Sequence, residues 1–127
     1  MSEKYDLTPV ELELMNILWE IGKGTVRDCM ACLPKSRNLA YTSVSTMLRI
    51  LQQKKILIAE KSGRQHIYSP VFSKEEFANH SVKKIINQVF SGNSVELVSY
   101  LMNKKDITAD EISAIQKLLT AKKKELA

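Results

Sequence analysis

Apolar side chains recur every three to four residues in the first part of the chain, which is the spacing of amphipathic helices. The first helix is predicted from Thr8 to about Glu20, because Thr8 and Glu11 have the spacing of a capping box. Gly22 then ends this helix, and Thr25 caps a second, shorter one. The predicted core-facing residues of the two helices are Leu14, Ile17, Leu18, Ile21, Val26, Met30 and Leu33.

A third helix is predicted within the stretch AYTSVSTMLRILQQKK, residues 40–55. Val44, Leu48 and Leu51 recur at positions i, i+4 and i+7, which predicts a buried stripe. At about 100° per residue, the polar side chains gather on the opposite side of the helix. That side carries small hydroxyl groups, an amide and an arginine instead of the glutamates common on solvated helices, so it is a candidate binding surface. Its members are Thr42, Ser45, Thr46, Arg49 and Gln53.

The hydrophobic period changes toward two after the third helix, in the segments ILIAEK and RQHIYS. This alternation predicts two strands joined as a β-hairpin. Ser62 and Gly63 lie between the strands and form the predicted turn. Lys61 and Arg64 flank that turn, so the tip of the hairpin is expected to carry two positive charges.

The remainder of the chain predicts three more amphipathic helices. Ser73 and Glu76 form the capping box of the first, Ser94 starts the second, and Thr108 and Glu111 cap the third. Three such helices are too few to enclose a core of their own, so we expect them to pair with a second copy of the chain. The alternative is that they fold back onto the N-terminal part of the same chain.

Positive charge is concentrated in one third of the sequence. The 127-residue chain has a net charge of +5, and residues 33–72 carry seven Lys and Arg against one acidic residue. A localised basic block is expected of a surface that binds a polyanion such as nucleic acid. No apolar run is long enough to span a bilayer, and the opening MSEKYDLTPVELELM lacks the pattern of a secretion signal. We therefore expect a cytoplasmic protein.

The order of predicted elements indicates a mostly α protein with a winged helix-turn-helix. Residues 1–72 are expected to form the DNA-binding domain, with three helices and a β-hairpin wing, and residues 73–127 a three-helix dimerisation domain. The second helix of such a pair enters the major groove, where Arg49 can bind guanine in bidentate fashion. Hydroxyl groups of the same helix can donate to phosphates or base edges, and Lys61 and Arg64 would lie beside the phosphates.

Cys29 and Cys32 form a CxxC motif, which in other settings binds zinc or undergoes redox chemistry. A tetrahedral zinc site needs four ligands, and the two histidines, His66 and His80, lie in the hairpin and the fourth helix. We therefore predict no metal and no cofactor. The cysteines are interpreted as small apolar groups, with a thiol redox switch as the alternative. No nucleophile with a base, paired carboxylates or glycine-rich phosphate loop stands out, so we predict no enzyme activity.

Three segments of the chain resemble the penicillinase and methicillin-resistance repressors, the BlaI/MecI-type family. LTPVELELMNILWEIGKGTVRDC, AYTSVSTMLRILQQKKIL and GRQHIYSPV match its opening helices, recognition helix and wing in register. The resemblance implies a homodimeric transcriptional repressor that binds a double-stranded DNA operator, an inverted repeat in the promoter of its own operon. It also places Thr42, Ser43, Thr46 and Arg49 on the recognition face, with Arg64 on the wing.

The same resemblance implies regulation by a protease or sensor. In the β-lactam-responsive members an Asn-Phe bond in the dimerisation helices is cleaved, whereas Tyr100 and Leu101 stand at the corresponding place here. Copper-responsive relatives bind metal through C-terminal Cys-x-Cys motifs, and the tail AKKKELA has no cysteine. Copper sensing by that route is therefore not expected.

Two other interpretations remain open at this point. The chain could be a winged-helix protein-interaction or architectural module without sequence-specific DNA readout, in which case the basic face is incidental. It could also be a DNA-binding protein that holds a small ligand between its two halves. Whether Ser43 or Ser45 reads a base is likewise open.

Overall fold

Helices dominate the computed structural model, which describes residues 5–127; the first four residues, part of the opening inspected for a secretion signal, lie outside it. The element order is the predicted one, with three helices and an antiparallel hairpin followed by three more helices. The mostly α, winged helix-turn-helix architecture is therefore confirmed. The elements are α1 (Pro9–Ile21), α2 (Val26–Cys32), α3 (Tyr41–Gln53), β1 (Leu57–Ser62), β2 (Gln65–Pro70), α4 (Lys74–Val89), α5 (Ser94–Met102) and α6 (Ala109–Leu126).

Side-chain caps explain where most of these helices begin. At α1 the Thr8 hydroxyl accepts from the Glu11 amide at 3.1 Å, and the Glu11 carboxylate accepts from the Thr8 amide at 2.9 Å. The same reciprocal bonds begin α4 and α6. At α5 the cap is Asn93, one residue before the predicted start, and its side-chain oxygen accepts from two backbone amides at 2.9 and 3.2 Å. Local sequence therefore sets these helix boundaries.

A single hydrophobic core holds α1, α2, α3 and the hairpin together. The stripe predicted in α3 is fully buried, and Met15 and Cys29 join it although neither belonged to a predicted stripe. Ile21 is 40% exposed instead, because α1 ends there and Gly22 turns the chain away with a φ of 91°. The buried apolar residues are Leu14, Met15, Leu18, Val26, Cys29, Val44, Leu48, Leu51, Ile56, Leu57, Tyr68 and Phe72.

The hairpin is attached to the loop between α1 and α2 through Gly24. The Gly24 amide donates to the Tyr68 carbonyl at 2.9 Å, and the Tyr68 amide donates back at 2.8 Å. A Cβ atom at Gly24 would lie 2.8 Å from the Cδ1 atom of Ile21, so only glycine allows this approach. The strands extend to Ser62 and Gln65, which leaves a two-residue turn one position later than predicted.

Five aromatic side chains pack together where the hairpin leads into α4. Tyr5 stacks on His80 with ring centroids 4.2 Å apart, and Phe72 and Phe77 stack at 6.4 Å. Trp19 joins them from α1, and its indole N–H donates to the Phe72 carbonyl at 2.9 Å. This aromatic cluster packs the first turns of α4 against the rest of its compact unit, as its ring distances show.

The chain divides into two compact units, one ending at Ser81 and one covering Val82–Ala127. We call them the N-terminal and C-terminal units. The C-terminal unit contains the end of α4 together with α5 and α6, and no residue of Val82–Ala127 is buried. Among residues 5–127 no helix is long and apolar enough to cross a membrane. The exposed large apolar side chains of the C-terminal unit are Val82, Ile85, Val89, Val95, Val98, Tyr100, Leu101, Ile112, Leu118, Leu119 and Leu126.

Candidate nucleic-acid interface

The two faces of α3 differ as its sequence predicts. Its apolar stripe has no solvent exposure, and the opposite side faces solvent. Ala40, the N-cap residue, makes no side-chain cap bond, so the first amides of α3 keep no capping partner from that side chain. Uncapped amides at the positive end of a helix favour an anion. On this face Thr42, Thr46, Arg49 and Gln53 are exposed, while Ser43 and Ser45 are half-buried.

Two of the seven basic residues in the block 33–72 are engaged by acidic side chains of α1. Arg37 binds Glu13 through two contacts, Nη2 to Oε1 at 2.9 Å and Nε to Oε2 at 3.0 Å. Lys54 binds both carboxylate oxygens of Glu11 at 3.1 and 3.2 Å. Sequence counting alone assigned these two charges to the basic surface. Within residues 5–127 no ion pair engages the other five, Lys35, Arg49, Lys55, Lys61 and Arg64.

The pair between Glu11 and Lys54 fixes the C-terminal end of α3 against α1. Glu11 is only 6% exposed, and this burial on its own would raise the pKa of its carboxyl. Hydrogen bonds from the Thr8 amide and from Lys54, with the charge of Lys54, outweigh burial and hold the pKa below the usual 4.5. The carboxylate is therefore ionised at neutral pH and keeps Lys54 in place.

Lys55 redirects the chain from α3 into β1. Its φ is 65°, in the left-handed region that a non-glycine residue adopts at a cost. The Ile56 amide donates to the Leu51 carbonyl and the Lys55 amide to the Gln52 carbonyl, both at 2.9 Å, which is the pattern of a Schellman motif. Ile56 and Leu51 are both fully buried, so packing in the core holds the turn in this conformation.

The turn of the hairpin consists of Gly63 and Arg64. Gly63 has a φ of 64°, which suits the first position of a two-residue hairpin turn that favours glycine. Lys61 lies on β1 directly opposite His66 on β2, and both are exposed. The predicted basic tip is thus present, with Arg64 within the turn and not beside it.

A pocket of about 70 Å³ lies between α2, α3 and the hairpin. It brings together two predicted site residues that are far apart in sequence, Ser45 and Arg64. Arg27, Tyr41 and His66 also line it, and none of the three was predicted as a site residue. An exposed arginine in the first turn of α2 and an exposed tyrosine opening α3 were the available sequence signals. The pocket wall thus joins the exposed face of α3 to the hairpin.

Tyr68 is buried in the wall of the same pocket. Burial raises the pKa of its phenol, and the positive charge of Arg49 partly opposes that shift. An influence of Arg49 on Tyr68 means that the arginine of α3 acts electrostatically on strand β2. Helix and hairpin therefore present their cations on the same part of the surface.

The cysteine pair occupies a structural position in α2. Cys29 is fully buried, and burial, with further contributions from Cys32 and Asp28, raises the pKa of its thiol to about 11. A thiol that stays protonated at neutral pH is a poor nucleophile and reacts slowly with oxidants. Cys32 is exposed. In the part of the chain that the structure describes, no group of three or more His, Cys, Asp or Glu side chains could hold a metal ion.

A helix pair whose second helix exposes polar side chains beside a basic hairpin defines a winged-helix DNA-binding protein. Comparison with known families agrees: residues 7–121 match the family described as Penicillinase repressor. The chain belongs to this family of winged-helix, DNA-binding transcriptional repressors, which includes regulators of antibiotic resistance and is not a family of enzymes. The resemblance noted in the sequence is thereby confirmed.

Individual relatives match nearly the whole chain. The methicillin resistance regulatory protein MecI of Mammaliicoccus sciuri is 22% identical over 121 residues, covering 95% of this chain and 98% of MecI. The transcriptional regulator BlaI of Mycobacterium tuberculosis (strain CDC 1551 / Oshkosh) is 29% identical over 121 residues, covering 94% and 86%. The solution structure of the DNA-binding domain of the repressor BlaI superposes with a TM-score of 0.52 at 25% identity, covering 60% of this chain and 93% of that domain.

Proposed function

We propose that this chain is a homodimeric repressor that binds an inverted-repeat operator in a promoter, that of its own operon. One observation carries the proposal: an exposed polar face of α3 lies beside cations of the hairpin, in a member of a DNA-binding repressor family. In this proposal residues 1–72 form the DNA-binding domain and residues 73–127 the dimerisation domain. The proposed compartment is the cytoplasm.

The α3 residues are assigned to the major groove. Arg49 is the proposed base reader, since its guanidinium has the geometry for a bidentate bond to guanine. The hydroxyl and amide side chains accompany it, and Lys61 and Arg64 contact the DNA backbone from the wing. The full proposed set is Thr42, Ser43, Ser45, Thr46, Arg49, Gln53, Lys61 and Arg64.

The exposed apolar surface of the C-terminal unit supports the homodimer. Val89, Val95 and Leu119 are 68%, 75% and 60% exposed, which is costly for side chains of this size. A two-fold axis would let the same surface cover itself in a partner chain. Sedimentation of the purified protein at micromolar concentration tests this, and we expect a dimer. A monomer at that concentration would refute the dimer and leave the DNA-binding assignment standing.

Regulation by a protease or sensor is proposed with a limit set by the sequence at α5. Tyr100 and Leu101 stand where β-lactam-responsive relatives carry the cleaved Asn-Phe bond, and both are exposed. We propose that cleavage at this bond does not inactivate the chain. The measurement is incubation with a protease that cuts that bond in such relatives, followed by mass spectrometry, with a chain carrying L101F and Y100N as the control that should be cut.

The operator proposal is tested by mixing the full chain with sheared genomic DNA of its source at physiological salt and sequencing the bound fragments. We expect enrichment of one or a few promoters that contain a two-fold repeat, with half-sites one or two helical turns apart. Retention of fragments without preference would refute sequence-specific repression. It would favour an architectural module instead, and retention of none would favour a protein-interaction module.

Two arginine variants separate base reading from backbone contact. Arg49→Ala should cost about 1–3 kcal/mol on the operator and relax preference at one base position. Arg64→Ala should weaken operator and mixed-sequence DNA about equally and reduce the slope of log K against log salt by about 0.9. Fluorescence anisotropy over a salt series measures both. Wild-type behaviour of both variants would show that the two faces are wrongly assigned.

A further inference from the structure

Arg27 is held by an aromatic ring and not by an acidic side chain. Its guanidinium carbon lies 5.2 Å from the centre of the Tyr41 ring, which is the distance of a cation–π contact. Stacking engages the flat face of a guanidinium and leaves its N–H groups, which point outward in the plane, available to an acceptor. Arg27 is therefore an oriented donor group at the surface, with its position fixed by the first residue of α3.

The available acceptor would lie in the pocket that Arg27 shares with Arg64 and Ser45. Two guanidinium groups and a hydroxyl line this pocket, and no acidic residue is among its lining side chains. The nearest carboxylate on the same helix, Asp28, already accepts from the Thr25 amide at 2.9 Å as part of the α2 cap. Two like charges that line one small pocket repel each other unless an anion lies between them.

The size of the pocket restricts what the anion can be. Its volume of about 70 Å³ is well below the roughly 300–1,000 Å³ of pockets that hold organic ligands. It equals the share of about two water molecules, at about 30 Å³ each, which suits one small tetrahedral anion. Ser45 lies on the face assigned to the major groove and Arg64 on the wing, so backbone DNA between these two contacts would pass this pocket.

We propose that Arg27 and Arg64 together hold one phosphate group of the DNA backbone in the pocket between α2, α3 and the hairpin, with Tyr41 as the positioning residue for Arg27. This inference rests on the proposed function. It adds a contact from α2, which the sequence patterns of α3 and the wing did not indicate. The contact is independent of base sequence, because a phosphate carries no sequence information.

The test uses the full chain and a mixed-sequence DNA duplex of about three helical turns, roughly 30 base pairs. Binding is measured by anisotropy over a salt series for wild type, Arg27→Ala, Tyr41→Phe and Tyr41→Leu. Arg27→Ala should reduce the slope of log K against log salt by about 0.9, the value for one lost phosphate contact. Tyr41→Phe keeps the ring and should bind like wild type, whereas Tyr41→Leu should weaken binding several-fold.

Coupling between the two side chains distinguishes positioning from a separate contact. In the Tyr41→Leu background, Arg27→Ala should cause a smaller fold-loss than it does in wild type. Lys105→Ala removes an exposed positive charge of the C-terminal unit and is the matched control for net charge. We expect a slope for Lys105→Ala close to that of wild type, and thermal unfolding confirms that each variant is folded.

The outcomes separate this inference from the function on which it rests. An unchanged slope for Arg27→Ala, with a reduced slope for Arg64→Ala, would overturn the shared phosphate site and leave DNA binding intact. Equal slope reductions for Arg27→Ala and Lys105→Ala would overturn it as well, because net charge would then explain both. Absence of salt-dependent binding by the wild type would refute the proposed function itself.

Discussion

The two units of this chain contrast in how they treat their apolar residues. The N-terminal unit buries twelve apolar side chains in one core around α1 and α3. The C-terminal unit has amphipathic helices of similar length, yet none of its residues is buried. Since both units have helix caps of the same quality, local sequence does not explain the difference. Burial does, and it indicates that the first unit is complete within one chain while the second requires a further surface.

This contrast gives each unit a different source of stability. A core enclosed within one chain contributes the same free energy of unfolding at every protein concentration. A helical region that gains its burial from a partner contributes stability that rises with concentration, by mass action. The proposed homodimer therefore makes unfolding of the C-terminal unit concentration-dependent, whereas unfolding of the N-terminal unit would be independent of concentration.

The largest predicted effect comes from core truncation in the N-terminal unit. Leu48→Ala should lower its free energy of unfolding by about 2–5 kcal/mol at every protein concentration, because it leaves a cavity in a closed core. Leu119→Ala is the matched change in the C-terminal unit, where that residue is 60% exposed. It should cost about 1–2 kcal/mol, and only where the protein is dimeric. Urea denaturation at two protein concentrations, followed by circular dichroism, measures both.

Either of two results would break the comparison. A Leu119→Ala variant with wild-type stability at all concentrations would mean that this side chain lies outside any interface. A concentration-dependent loss for Leu48→Ala would mean that the N-terminal unit also depends on the partner.

A smaller effect is expected from the carboxylate that ties α1 to α3. Glu11→Gln should destabilise the N-terminal unit by about 1–2 kcal/mol at pH 7, a value reduced by the 39% exposure of the Lys54 side chain. The folded pKa of Glu11 lies below its ordinary 4.5, so the stabilisation is complete above pH 4.5 and is lost as pH falls through the folded value. Urea titrations from pH 7 to pH 3 should therefore show the two proteins converging below pH 4.5.

Glu13→Gln is the control for the carboxylate prediction. Its ion pair with Arg37 is about one third exposed on both sides, and such pairs contribute less than about 1 kcal/mol. A loss in Glu13→Gln as large as that in Glu11→Gln would contradict the role of burial. A difference between wild type and Glu11→Gln that does not shrink in acid would contradict the lowered pKa.

The smallest predicted effects are gains from relieving backbone strain. Lys55→Gly in the N-terminal unit removes a side chain from a residue with φ of 65° and should stabilise it by up to about 1 kcal/mol. Ser91→Gly makes the same change at φ of 51° in the C-terminal unit. Thermal unfolding should show a higher transition temperature for each, and a fall in either would show that the lost side chain makes a stabilising contact.

Much of the fold was predictable because its signals are local. Capping boxes such as Thr8 with Glu11 span three residues, and helical stripes such as Val44, Leu48 and Leu51 follow from the pitch of one helix. Exact caps were less certain, since Asn93 and Ser94 are both good N-cap residues and only the structure selects one. The alternation of the hairpin likewise fixed its strands to within one residue.

The parts that escaped prediction depend on residues distant in sequence. Lys54 meets Glu11 across 43 residues, so a count of basic residues could not remove it from the surface charge. The pocket has the same character, because Arg27 and Arg64 come together only through folding. Whether the predicted DNA-contacting residues touch bases or phosphates stays a prediction for the binding experiments.

Trp19 is the single tryptophan of the chain and belongs to the N-terminal unit. Its indole donates to the Phe72 carbonyl at 2.9 Å and packs 5.5 Å from the Phe77 ring, so its emission responds to loss of that environment. Backbone ellipticity, in contrast, reports helices of both units. The molecule therefore carries a built-in optical reporter for one unit alone, and recording indole emission and ellipticity in the same titration separates the two unfolding events without an attached dye.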